Sequence, residues 1–234
     1  MKLRQVAVAA EALAPVREQL FRRLGIEADF ADPGVGEFGL ENSVMAIGDT
    51  FLEVVAPIRE HTAAGRTLAR RGVPVCGYMA LFQVDNFAAF DTTLDQKQCR
   101  RVWQVDREEV SACHVHPKDM RGAIVSFDEM RPAQEWVWAG PNWRSQQATS
   151  ALRILGCAVG SPEVQTIAAR WSEILGVPVN QNRRMSFADG TYIEFVDGEH
   201  EGIVGISFEV GPNQSQEVML LGDVELKFEA SLKR

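Results

Sequence analysis

One pattern occurs twice in this chain, and it limits the fold more than any other feature. Residues 50–55 read Thr-Phe-Leu-Glu-Val-Val and residues 191–196 read Thr-Tyr-Ile-Glu-Phe-Val. Both follow the same preamble. Leu3–Ala10 reads as a strand, and Leu13–Leu24 carries apolar residues at 13, 16, 20, 21 and 24, the spacing of one helix face, before stopping at Gly25. Short strands are expected at Ala28–Ala31, Glu41–Ile47 and Phe51–Ala56, the last two joined by a turn at Gly48-Asp49. In the second copy Ala151–Gly160 is a strand and Pro162–Leu175 a helix stopping at Gly176. Strands follow at Val179–Gln181, Met185–Phe187 and Thr191–Val196. A strand, a helix and three strands make a repeated module.

Two further modules fit the remaining sequence. Tyr78–Asp85 opens one, with a short helix at Phe87–Leu94 and strands near Arg100–Asp106, Ser111–Val115 and Ala123–Phe127. Gly202–Val210 opens the other. Only Gly211–Gln214 separates it from strands at Ser215–Leu221 and Asp223–Phe228, so this module has lost its helix. Thr62–Arg71 reads as a connecting helix. The fold class is α+β, in paired βαβββ modules, with halves at 1–140 and 151–234 and a polar linker at 141–150.

Composition excludes several partners. The 234 residues carry a net charge of −8 with no basic block, which argues against nucleic acid, since its binding needs Lys and Arg on phosphates. No stretch approaches 18 consecutive apolar residues, so no membrane span is expected. The five-residue apolar run at Val6–Ala10 is shorter than a signal-peptide core. Cys76, Cys99, Cys113 and Cys157 are widely separated and form no C-x-x-C pair, as expected of a reducing, cytoplasmic setting.

The helix ends Phe-Arg-Arg-Leu-Gly (21–25) and Trp-Ser-Glu-Ile-Leu-Gly (171–176) resemble those of the vicinal oxygen chelate superfamily. So do the join at 65–72 leading into Tyr-Met-Ala-Leu-Phe-Gln-Val-Asp (78–85) and the stretch His-Pro-Lys-Asp-Met-Arg-Gly-Ala-Ile-Val (116–125). That superfamily includes glyoxalase I, methylmalonyl-CoA epimerase, extradiol dioxygenases and resistance proteins. The resemblance implies modules paired into cups around a divalent metal, with ligands from strand one and strand four of each module. Carried over, these positions are Gln5 and Glu53, then Met79 and Ser126, then Gly156 and Glu194, then Gly205 and Lys227. Met79 and Ser126 stand where the family usually has His and Glu. An open divalent site usually needs three O or N ligands from the protein, and no pairing of modules supplies that set. No metal cofactor is therefore expected. A divalent ion, if bound, would sit on Gln5 and Glu53, with His114 or His116 as substitute ligands.

Glu53 lies in an otherwise apolar strand, where a carboxylate must be paired, metal-bound or open to a cavity. Glu194 repeats it. The plainer alternative for either is a sheet carboxylate paired with an arginine. The resemblance implies a small-molecule lyase or isomerase acting next to a carbonyl, with Glu53 and Gln5 as its catalytic pair. The rival is a metal-free protein that sequesters a small molecule. His116, Lys118 and Arg121 form a local surplus of positive charge suited to an anionic ligand, the alternative being solvated loop charges. Met79, Ser126, Trp138 and Glu194 complete the expected lining. Trp136 and Trp138 share a face if that segment is extended, and with Trp143 they wall a pocket or simply pack. Four modules satisfy the fold's pairing within one chain, so a monomer or homodimer is expected.

Overall fold

A computed structural model of the chain describes residues 1–212, 214 and 216–230. The duplicated strand-helix opening forms as expected. Strand β1 (Lys2–Ala10) leads into helix α1 (Leu13–Leu24), and β8 (Arg153–Ser161) into α5 (Val164–Leu175). Both helices end on a glycine in the left-handed region, Gly25 and Gly176.

The turn at Gly48-Asp49 places Ile47 opposite Thr50 and so fixes the register of β2 (Leu40–Ile47) on β3 (Thr50–Pro57), with Val44 opposite Glu53. The expected strands at 28–31 and 179–181 shrink to single bridges, Phe30 with Val44 and Val179 with Met185. The reason in the first case is local. Phe30 exchanges two backbone hydrogen bonds with Val44, and the chain then turns at Pro33 into a 3-10 helix, Pro33–Phe38. Helix α2 (Ala63–Arg71) is capped by Thr62, whose hydroxyl accepts the Gly65 N–H at 3.0 Å.

The second module runs β4 (Val75–Gln83), α3 (Phe87–Gln96), β5 (Arg101–Asp106), β6 (Val110–Val115) and β7 (Ile124–Met130). A one-turn helix α4, Pro117–Met120, replaces the loop expected there. The third ends in β9 (Arg184–Ser186) and β10 (Tyr192–Asp197). The fourth is β11 (Gly202–Val210), β12 (Val218–Leu221) and β13 (Val224–Ala230). No helix lies between β11 and β12 among the described residues. The expected strand start at Ser215 lies outside them. One mixed sheet has the order β2-β3-β1-β4-β7-β6-β5 and the other β12-β13-β11-β8-β10-β9.

Close packing groups the chain differently from the expected halves 1–140 and 151–234. One compact unit comprises residues 5–78, 138–155 and 204 onward, so modules one and four share it. The other comprises 1–4, 79–137 and 156–203, modules two and three. In the first, the Glu53 unit, α1 buries Val16, Leu20 and Leu24. Its Arg23 guanidinium lies 3.5 Å over the Phe228 ring of β13 and pairs with Glu217 at 2.6 Å. Helix α1 therefore also covers the fourth module. In the second, the Glu194 unit, Trp171 of α5 sits between Phe82 (6.3 Å) and Phe195 (5.9 Å). The indole N–H of Trp171 donates to the Arg121 carbonyl at 3.0 Å.

The repeated threonine that opens strand four has the same task in each unit. Thr50 accepts the Ile154 N–H at 2.7 Å, and Thr191 accepts the Leu3 N–H at 3.2 Å, both buried.

Candidate functional site

The parallel pairing of β1 with β3 places Gln5 beside Phe51 and Ala7 beside Glu53. Paired residues share a face of the sheet. Gln5, Phe51, Glu53, Val44 and, one pair along, Asn42 and Val55 therefore line one face. Glu53 is 6% exposed. Its two carboxylate oxygens accept from different amides, Oε1 from Asn42 Nδ2 at 2.7 Å and Oε2 from Gln5 Nε2 at 2.8 Å. Asn42 is itself held, its Oδ1 accepting the Asp32 N–H at 2.9 Å.

Two effects on this carboxylate oppose each other. Burial penalises the charged form, while the amide donors favour it. Burial wins, aided by the negative charge of Asp32, and lifts the Glu53 carboxyl to about 7. The buried phenol of Tyr78, in the same unit, is pushed above its ordinary range by desolvation and then by Glu53. Apolar rings border the carboxylate. Phe51 meets Trp143 edge to face at 5.2 Å. Phe30, bridged to Val44 directly opposite Glu53, lies under Gly140, where a Cβ would come within 2.4 Å of the Phe30 ring.

Glu194 forms no comparable site. It lies directly across from Arg184, whose guanidinium approaches it to 3.6 Å and stacks on the Tyr192 ring at 3.8 Å. At Gly156, the position matching Gln5, a Cβ would stand 2.6 Å from that ring, so Tyr192 fills the space a donor would need. This is the arginine-paired alternative raised for both glutamates, realised in the second copy.

Most of the remaining expected residues lie in the Glu194 unit. Ser126 is fully buried and its hydroxyl donates to the Cys113 carbonyl at 3.3 Å. Met79 is a buried thioether two residues before Leu81, the partner of Ser126 across β4 and β7. His114, opposite Ser126, stacks on Trp103 at 4.5 Å, and burial lowers its affinity for a proton to about 4. His116 caps α4, its Nδ1 accepting the Lys118 N–H at 3.0 Å. Arg121 is committed to Glu163 at 2.7 Å and also to Glu201, leaving exposed Lys118 as the cation of the expected anion site. Trp136 and Trp138 are not extended. Trp136 is fully buried and Trp138 lies in a 3-10 turn, half-buried, in the Glu53 unit.

The donor set does not fit a divalent ion. Both oxygens of Glu53 already face N–H groups, which a cation at the same oxygens would repel, and Gln5 turns its nitrogen to the carboxylate. Among the described residues no group of three His, Cys, Asp or Glu is placed to hold a metal.

Asn42, Asp32 and Tyr78 are absent from the sequence-based set. The signal for Asn42 was available, because the Gly48-Asp49 turn fixes which residues of 40–47 face the side of Glu53.

No family model matches the sequence, and no curated protein does either. Solved structures do. A hypothetical protein from Staphylococcus aureus aligns over 98% of this chain and 99% of its own, with a TM-score of 0.70 and 10% identity. A mutant 4-hydroxymandelate synthase from Streptomyces coelicolor aligns over 90% of this chain and 71% of its own, with a TM-score of 0.69 and 12% identity. The chain has the vicinal oxygen chelate fold. Methylmalonyl-CoA epimerase from Streptomyces coelicolor, at 19% identity, matches 56% of this chain and 97% of its own with a TM-score of 0.49. Such identities speak for the fold alone, which hosts unrelated chemistries.

Proposed function

We propose that this vicinal oxygen chelate-fold protein is a small-molecule lyase or isomerase, in which Glu53 moves a proton at a carbon next to a carbonyl. The observation that supports it is a single one: a buried carboxyl held between two amides on an apolar face, with its proton affinity raised to about 7. A base works best when its pKa is near the working pH. The ionised carboxylate takes the proton from carbon, and the electron pair of the broken C–H bond moves onto the carbonyl oxygen as an enolate. The neutral carboxylic acid then returns the proton, from the same side, to the neighbouring carbon of the enolised pair, or the enolate expels a leaving group from the next carbon. Gln5 and Asn42 hold the carboxylate in one orientation throughout. The step needs no cofactor. No described helix is long and apolar enough to cross a membrane.

The second reading is a metal-free binding protein. It is favoured by the fact that both carboxylate oxygens are already bonded within the protein. Glu53→Gln separates the two. An enzyme loses on the order of a hundredfold or more of its turnover, the usual contribution of a general base, while its ligand still binds. A sequestering protein keeps its binding and has no turnover to lose. Retained turnover in Glu53→Gln refutes the proposal.

A further inference from the structure

The charge around Glu53 is as informative as the carboxylate itself. The one charged group that acts on it appreciably is Asp32, another acid. Three arginines of the same unit are held in ion pairs. Arg17 pairs with Asp29 at 2.7 Å, Arg71 with Asp223 at 2.5 Å and Arg153 with Glu209 at 2.6 Å. The donors that do reach the site, Gln5 and Asn42, are neutral and already donate to the carboxylate. The other surfaces on this face are aromatic or aliphatic, with Phe51 against Trp143 and Phe30 bridged to Val44. An anion placed there would meet the negative charges of Glu53 and Asp32, at a cost that rises as water is excluded.

We propose that the Glu53 face takes an uncharged, apolar carbonyl compound, with the Phe51 and Trp143 rings as its specificity surface, and discriminates against carboxylates and phosphates. This deepens the lyase or isomerase reading and rests on it for the carbonyl group. The charge preference itself is read by binding alone.

The test uses matched probes, phenylacetamide and its charged twin phenylacetate, titrated into the full chain at about pH 8.5 with tryptophan fluorescence and ligand-observed NMR as readouts. The amide should bind at least roughly tenfold more tightly. Trp143→Ala should weaken it, and Phe51→Leu serves if that variant does not fold. Glu53→Gln, which removes the repelling charge, should narrow the gap between the probes several-fold. Equal or tighter binding of phenylacetate, failure of the amide to bind saturably, or a gap unchanged in Glu53→Gln each overturns the inference. A wrong charge preference leaves the proton-transfer reading standing, whereas retained turnover in Glu53→Gln defeats that reading whatever the probes do.

Discussion

Replacing Glu53 by Gln should make the protein more stable at alkaline pH relative to the wild type. The carboxyl titrates near its ordinary 4.5 in the unfolded chain and at about 7 in the folded one. Between those values the folded chain holds a proton that the unfolded chain has lost, so wild-type stability falls as pH rises. The loss begins near the unfolded value and is complete just above the folded one. At 1.36 kcal/mol per pKa unit, integration from about pH 5 to pH 8 gives ~2.5 kcal/mol. Glutamine cannot ionise and escapes this loss. Its carbonyl oxygen can keep the Asn42 bond, while Gln5 rotates to offer its own oxygen to the new amide nitrogen. Any residual packing penalty is independent of pH. The stability of Glu53→Gln relative to wild type should therefore rise by ~2.5 kcal/mol across that interval, or roughly 5–10 °C in melting temperature for a chain of this size. Urea unfolding at a series of pH values measures it. A difference that stays flat with pH would refute the reasoning, because burial would then not be raising this carboxyl.

Other consequences are equally direct. Asn42→Ala removes a donor that favours the ionised form, so the inflection of the wild-type stability profile should move to higher pH, with a general loss of about 1–3 kcal/mol, both read in the same urea series. Glu194→Gln should cost under ~1 kcal/mol, since its partner Arg184 is a partly exposed cross-strand neighbour, and it should leave probe binding unchanged. Thr50→Val and Thr191→Val each strand one buried backbone N–H, of Ile154 or Leu3. Each should lower stability by about 1–3 kcal/mol in denaturant unfolding, and a cost confined to one of them would break the parallel between the copies.

The fold was legible because it is written twice. Helices stopping at Gly25 and Gly176, and the repeated Thr-x-x-Glu strands, carry local signals that tertiary packing did not override. What failed locally was Phe30, which makes one pair of backbone bonds with Val44 before the chain turns at Pro33, and Val179, which forms a single bridge with Met185. Glu53 and Gln5 are named by the resemblance, position by position, and the structure joins them by a hydrogen bond. Asn42 was not named, though the hairpin turn carried its register, because strand alternation alone does not say which polar residue will meet a carboxylate. Arg121 is a different case. Its partners Glu163 and Glu201 lie 42 and 80 residues away in sequence, so the local surplus of positive charge is cancelled only in the folded chain. Likewise the grouping of module one with module four depends on contacts such as Arg23 with Phe228, which no local pattern announces.

The ionisation of Glu53 can be watched directly. With glutamate labelled at its side-chain carboxyl carbon, the Glu53 resonance can be assigned by its absence in Glu53→Gln and followed by NMR through a pH titration. A midpoint near 7, well separated from the other glutamates, is the result predicted here. A midpoint near 4.5, with Glu53 ionising alongside the exposed carboxylates, would contradict the central claim.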